Sequence, residues 1–277
     1  MSDGYTIRPF ATIDEYRDCV ALQEATWGVG FSERVAPAIL KVSQILGGVS
    51  AGAYDVEGRL VGFIFGMTGL RDGALVHWSD MLAVIPEARD AGLGRRLKLY
   101  QREEVLGRGV EIIHWTFDPL QSRNAHLNFS KLGIVVREYQ EDMYGQTDSP
   151  LHRGIGTDRF IASWLLRSDR VRARLETGQA EVVKGLDDVP FALGAELGGR
   201  HPRPATPDVA LGNDRVRVAI PSDIGSIMDD DMQLALEWRI ATRTVFRHYL
   251  RSGYEVRDFV RGVDTSQYVV VREADAQ

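Results

Sequence analysis

The chain has 277 residues, 44% of them hydrophobic and 26% charged, with a formal net charge of −6. That is globular composition, long enough for one large domain or two modest ones, and its acidic balance argues against a dominant nucleic-acid surface. The single cysteine, Cys19, excludes an intramolecular disulfide framework.

Cys19 lies in a helical pattern beside Tyr16 and Val20 and reads as a buried, inert thiol. The first ten residues carry no charged-then-apolar signal pattern, and no apolar run approaches the ~20 residues of a membrane span. A soluble, cytoplasmic protein is the expectation.

In chain order, Tyr5 to Phe10 alternate and predict a short strand. Thr12 followed by Glu15 has capping-box spacing and predicts a helix with Ile13, Tyr16 and Val20 inward. Val35, Ile39, Val42 and Leu46 predict a second helix from about Glu33 to Leu46, stopped by Gly47. A hairpin turning at Glu57-Gly58 follows, then a fourth strand ending at Val84. The helix opening at Gly92 places Leu93, Leu97 and Tyr100 on one face. A fifth strand covers residues 110 to 117. Asp118 is the expected cap of the next helix, with Pro119 in its first position and Gly133 as its stop. Two strands follow, then a proline-rich linker over 198–208, a strand near Val216, a helix from about Asp229 to Arg251, and two final strands. Lys131–Tyr139 and Arg251–Phe259 echo one another as helix, Gly and strand.

The stretch that carries chemistry is MLAVIPEARDAGLGRRLKLY, Met81 to Tyr100. The first turn of a helix leaves backbone N–H groups without intrahelical partners, and the helix dipole adds positive charge there. Gly92 and Gly94 leave room for close approach by a phosphate. Arg89, Arg95, Arg96 and Lys98 supply further positive charge. The reading is a pyrophosphate cradle between strand and helix. No Gly-Lys-Ser/Thr follows, so the Walker pattern is absent; position 97 is Leu, so the dinucleotide pattern fails too.

The segment Val84-Ile85-Pro86-Glu87-Ala88-Arg89-Asp90-Ala91-Gly92-Leu93-Gly94 resembles the Arg/Gln-x-x-Gly-x-Gly/Ala signature of the GNAT superfamily of N-acyltransferases. Asn124 to Ile134 is similar to that family's second characteristic helix. The resemblance runs from Tyr5 to about Arg167. It implies an α/β (α+β) fold: a mixed central sheet flanked by helices, splayed between the fourth and fifth strands, plus an α+β C-terminal extension. Residues 1–167 would form the acyl-CoA-binding domain. Residues 168–277 would form the extension, a partial repeat of the fold being one reading of the echo.

By the same resemblance, the cosubstrate is acetyl-CoA or another acyl-CoA. Its pantetheine arm would pair with Leu82, Ala83 and Val84. Its pyrophosphate would sit on Arg89, Asp90, Ala91, Gly92, Leu93, Gly94 and Arg95. A backbone N–H near Leu82 or Ala83 would polarise the thioester carbonyl. The acceptor would be a small-molecule amine, with neither nucleic acid nor membrane as partner and a homodimer left open. Asp80 would be the general base, on one strand face with Trp78, Leu82 and Val84. The tyrosine that often serves as acid is replaced by Phe129. His126 is the candidate substitute, with Tyr139 and Tyr144 as further options. Asn124 and Asn128, four apart, would share a helix face and hold pantetheine amides. A non-catalytic acyl-CoA sensor or assembly module is the alternative function. His77 and His114, each followed by Trp, lack further ligands at metal spacing and read as packed strand histidines. Arg239, Arg243 and Arg247 read as a solvated helix face.

Overall fold

The computed structural model describes residues 4–145, 154–177 and 185–273, apart from the side chains of Asp90, Ala91 and Thr177. Packing divides the chain into two compact units: Met1–Trp115 with Leu165–Arg167, and Thr116–Trp164 with Ser168–Gln277. That division does not coincide with a boundary at Arg167, because the strands of residues 135–164 share a core with the C-terminal residues.

The first unit runs β1 (Thr6–Pro9), α1 (Ile13–Trp27), α2 (Pro37–Ile45), β2 (Val49–Tyr54), β3 (Leu60–Arg71), β4 (Ala74–Val84), α3 (Leu93–Leu106) and β5 (Ile112–Phe117). Its strands lie in chain order; β1 to β4 pair antiparallel, and β4 pairs with β5 in parallel. Helix α1 starts as expected. The Thr12 side chain accepts from the Glu15 amide while Glu15 reaches back to the Thr12 amide. Its inward face is Tyr16, Cys19 and Leu22; Ile13 is 51% exposed, contrary to the predicted stripe. Phe10, Phe63, Phe65, Met81 and Ala83 complete the core on that side of the sheet. Burial pushes the Cys19 thiol up to about 12, which keeps it protonated and unreactive.

Helix α2 starts at Pro37, four residues later than expected. Proline biases its predecessor toward extended backbone, and Ala36 has ψ 152°. The face is also different from the predicted one. Ile39, Val42 and Leu46 are exposed, while Leu40 and Ser43 are buried. Ser43 Oγ donates to the Gly66 carbonyl at 2.9 Å and ties α2 to β3.

The second unit holds α4 (Ser122–Ala125), continued by a π-helical stretch (His126–Leu132), then β6 (Val135–Gln140), β7 (Arg159–Leu165), α5 (Asp169–Thr177), β8 (Phe191–Leu193), β9 (Ala195–Glu196), β10 (Arg203–Pro204), β11 (Arg215–Pro221), α6 (Ile224–Asp230), α7 (Met232–Arg251), β12 (Tyr254–Val260) and β13 (Thr265–Arg272). Helix α4 does not start at Asp118. Asp118 spends its carboxylate on the Leu120 amide and on Arg239, and the helix begins three residues on. Gly133 stops it in the left-handed region, φ 76°, as expected. The helix expected from about Asp229 to Arg251 is α7, which starts at Met232 because Asp231 caps it; α6 is a separate short helix before it.

The echo has a structural counterpart. Strands β6 and β12 lie side by side, antiparallel, with Val136 opposite Val256, the same position of each echoed segment. Each then pairs outward with the strand that follows it in the chain, β7 or β13. Both pairings slip by one residue at the equivalent arginine, between Val136 and Glu138 and between Val256 and Asp258. Phe117, Phe129, Phe160, Phe246 and Tyr268 pack edge to face between these strands and α7. The arginines of α7 are not a solvated face. Arg239 is fully buried against Asp118, and Arg243 is paired with Asp158 and Glu141.

Candidate functional site

The sheet of the first unit opens where the splay was expected. Strands β4 and β5 are in register only at His77–Ile113 and Trp78–His114. Beyond that point β4 runs on to Val84 paired to β3 alone. Its other edge therefore offers backbone N–H and C=O groups to a guest. Just past the fork, β4 carries a bulge. Phe65 faces Met81 and Gly66 faces Ser79, so Asp80 is the extra residue.

The bulge overturns the predicted alternation. Residues opposite one another share a face, so Leu82 and Val84 lie with Ser79 and His77, on the side of α3. Trp78 lies with Met81 and Ala83 on the other side. A one-residue insertion swaps the faces, and nothing in the residue pattern announced it. Gly66 has to be glycine here. A Cβ would come within 2.3 Å of His77 Nε2 and 2.6 Å of the Trp78 carbonyl.

At the far end of β4 the chain makes a 3-10 turn, Pro86–Ala91, and enters α3 through Gly92 at φ 68°. Among the described residues no side chain caps α3, and nothing lies within 4 Å of where a Gly92 Cβ would stand. A Cβ on Gly94 would meet only Leu82, at 3.7 Å, an ordinary contact. Among the described residues no side chain takes the first-turn amides of α3, and neither glycine position is crowded, as a phosphate cradle requires. The surrounding charges need correction. Arg96 donates to the Tyr5 carbonyl at 2.9 Å, and Arg89 Nε donates to the Val84 carbonyl at 3.2 Å. Lys98 points the opposite way, into the interior.

Asp80 reaches solvent, yet the protein around it and the charge of Glu33 raise its carboxyl above the usual aspartate range. That shift suits a base. Buried beside the bulge, Lys98 Nζ donates to Ser79 Oγ at 2.8 Å and stands 3.8 Å from the centre of the Trp115 ring. Among the described residues no carboxylate pairs with it. Burial lowers its ammonium from 10.5 to about 7. His77 is structural. Thr68 Oγ1 gives its proton to the Gly47 carbonyl, so His77 Nδ1–H donates to Thr68, and Gln101 Nε2 donates to His77 Nε2. Burial, with Lys98 and Arg108 nearby, drives that imidazole down to about 3, and it stays neutral. Among the described residues no three His, Cys, Asp or Glu side chains gather as a metal site would need.

Of the expected site residues, Asp80, Leu82, Ala83, Val84 and Arg89 to Arg95 fall on one strand–turn–helix of the first unit. Asn124, His126 and Asn128 belong to the second unit. Asn124 is exposed and Asn128 is 4% exposed, so the two do not share a face; the π-helical stretch has more residues per turn than the α-helix the spacing assumed. His126 is half-buried, and burial together with Arg261 and Lys131 lowers its imidazole pKa. Phe129 is core, against Phe117 and Tyr268. Tyr139 donates to Asp158, and burial with that carboxylate raises its phenol far above the usual value, which removes it as an acid. Tyr144 hydroxyl meets Thr116 Oγ1 at 3.0 Å. Sequence reasoning missed Ser79, Trp115 and Glu33, and assigned Lys98 to the phosphate.

No family model matches the chain, and no curated protein matches it by sequence. Solved structures do match. The ribosomal-protein-S18-alanine N-acetyltransferase from Escherichia coli is similar to it at 17% identity and TM-score 0.46, over 59% of this chain and 95% of that one. An acetyltransferase of the GNAT family from Streptococcus pneumoniae is similar at 16% identity and TM-score 0.46, over 57% and 98%. Arabidopsis thaliana NAA60, solved in complex with acetyl-CoA, is similar at 13% identity and TM-score 0.47, over 58% and 99%. Among the described residues no helix is long and apolar enough to cross a membrane.

Proposed function

We propose that the chain is an acyl-CoA-dependent N-acyltransferase that moves an acetyl or other short acyl group to an amine, a small molecule in the simplest case. The observation that carries this reading is the parting of β4 from β5 after Trp78 and His114, in line with an uncapped helix start at the other end of the same strand. From Ser79 to Val84 is five residue steps, about 16 Å of strand. A pantetheine arm laid along that edge has its pyrophosphate on the Gly92–Arg95 amides and its thioester near the bulge. The Arg89 contact uses the Val84 carbonyl, so Leu82 and Ala83 are the residues to pair with the arm. Asp80 stands at the thioester end. It would take the extra proton that the neutral amine sheds as it forms the C–N bond, directly or through water. The chain's strand echo supports the further proposal that residues 168–277 include a partial repeat of the same fold.

The test uses Gly94→Glu. An acidic side chain in the first turn suits the helix dipole, so folding should be unharmed. The same charge repels a diphosphate. With acetyl-CoA at about 100-fold above its Kd, the wild-type protein should gain about 2.7 kcal/mol of stability. Gly94→Glu should melt normally and show no gain. An equal gain in both proteins removes the cradle from the site. Asp80→Asn separates catalysis from sensing. It should keep the acetyl-CoA shift and lose about 10²–10⁴-fold in thiol release; acyl-CoA binding without thiol release in the wild type, across an amine panel, would favour a sensor.

A further inference from the structure

We propose that Lys98, acting through the hydroxyl of Ser79, is the proton source for the departing thiolate. This rests on the N-acyltransferase reading and fills the role that Phe129 leaves open.

The geometry comes first. His77–Ile113 and Trp78–His114 are the last paired positions of β4 and β5. The next residue on each strand is Ser79 and Trp115. The Lys98 ammonium contacts both, hydrogen-bonded to one and lying on the ring of the other. It therefore sits at the apex of the fork, midway along β4 and at the far end of its unpaired edge from the phosphate cradle. A thioester carried along β4 from the cradle ends its run there.

The second observation is an unused donor. Ser79 is 4% exposed and accepts from Lys98. A serine hydroxyl can accept and donate at once. No acceptor takes the Ser79 proton among the described residues. A buried O–H with nothing to bond is costly unless something arrives to accept it. A sulfur carrying negative charge is such an acceptor.

The third is the chemistry of the amine. A lysine buried without a carboxylate is uncommon. Its charged form is held here by one hydroxyl and one aromatic face. A donor whose affinity for protons has been reduced to near neutrality gives one up readily at working pH and regains it from solvent. The other ionisable groups on the elements packed against α3 are Tyr54 on β2, Arg71 on β3, His77 and Asp80 on β4, and Glu87, Arg89 and Asp90 in the turn, with His114 on β5 and Arg102 one turn along α3 itself. His77 stays neutral and already has both ring nitrogens bonded.

The step balances. The neutral amine forms the C–N bond and its extra proton goes to the Asp80 carboxylate. The C–S bond breaks and its electron pair stays on sulfur. The Ser79 proton moves to sulfur, giving the free thiol, and a Lys98 proton moves to Ser79 Oγ. Lys98 is left as a neutral amine and Asp80 as the acid; solvent resets both.

The experiment is the pH dependence of kcat for CoA thiol release from acetyl-CoA, with a panel of a diamine, free amino acids and an alanyl peptide as acceptors. The active form holds Lys98 protonated, so wild-type kcat should fall tenfold per pH unit once pH passes about 7. Lys98→Met should lower the plateau about 10²–10⁴-fold and lose that falling limb, while keeping the acetyl-CoA thermal shift. Ser79→Ala should do the same with Lys98 in place. A flat wild-type kcat from pH 6 to 9 overturns the assignment without recourse to any variant. So does full activity in either variant. Failure of the parent reading looks different: wild type then shows no acetyl-CoA shift and no thiol release, and both proposals fall together.

Discussion

Lys98 is buried in the first packing unit and Arg239 in the second, and these two cations are handled in opposite ways. Arg239 in the second unit is fully buried. It donates Nη2 to Asp118 at 2.6 Å and Nε to the Ile155 carbonyl at 3.1 Å. Lys98 in the first unit is 5% exposed and has a serine oxygen and an indole face for company. The paired guanidinium keeps its proton at any pH the protein meets. The unpaired ammonium is left able to lose one. A buried charge with a built partner is an element of architecture; a buried charge without one is a strained group, and such strain collects at functional sites.

The largest test of that contrast is Arg239→Met. It takes the nearer guanidinium from an Asp118 carboxylate that is 2% exposed, leaving Arg159 at 3.9 Å, and should lose about 3–5 kcal/mol by urea or thermal unfolding. Replacing both partners, Asp118→Leu with Arg239→Met, should recover most of that loss, since the penalty lies in the orphaned charge. A double variant no better than the single one would show that the pair is doing something besides neutralising itself.

The difference between the two sites also marks how far the sequence could be read. The capping box of α1, the span of β4, the turn at Gly92 and the stop at Gly133 were all legible, because each depends on a few neighbouring residues. The strand–turn–helix on which we propose the phosphate cradle belongs to that class. Lys98 did not. Its spacing with Gln101 and Val105, three and seven residues on, is that of an inward stripe. Its charge outweighed its position, and it was assigned to the phosphate. The bulge at Asp80 had no local signal, being a property of how β3 and β4 align. Gly66 was the one residue that hinted at it, since a close approach across strands needs glycine. On α2, the stripe Ile39, Val42 and Leu46 had good helical period and faces out. Period finds a stripe; it does not say which stripe the tertiary structure buries.

Lys98→Met is the second test, with the opposite sign. The folded state disfavours the ammonium, whose pKa falls from 10.5 to about 7. Below pH 7 both folded and unfolded chains hold the proton, so the full penalty is present. Between pH 7 and 10.5 the folded chain has released it and the penalty shrinks as pH rises. Methionine has similar length and no charge. The variant should therefore gain about 2–4 kcal/mol at pH 6, and less at pH 9. A loss of stability at pH 6 would mean that Lys98 is a structural cation after all, of the same kind as Arg239.

The smallest effect is the most discriminating. Among the described residues Ser79 is the one hydrogen-bonding side chain on the Lys98 ammonium. Removing its oxygen by Ser79→Ala should destabilise the wild type by about 1.5–3 kcal/mol at pH 6, where the bond is to a charged donor. At pH 9 the same bond joins neutral groups and should be worth about 0.5–1.5 kcal/mol. In the Lys98→Met background the substitution should be close to silent at both. The double-mutant cycle, run by denaturant unfolding at the two pH values, isolates the Lys98–Ser79 coupling from whatever else Ser79 touches. A coupling that does not change with pH would mean the lysine keeps its charge throughout. In that case the fork holds a fixed cation, and the proton for the thiolate has to come from somewhere else.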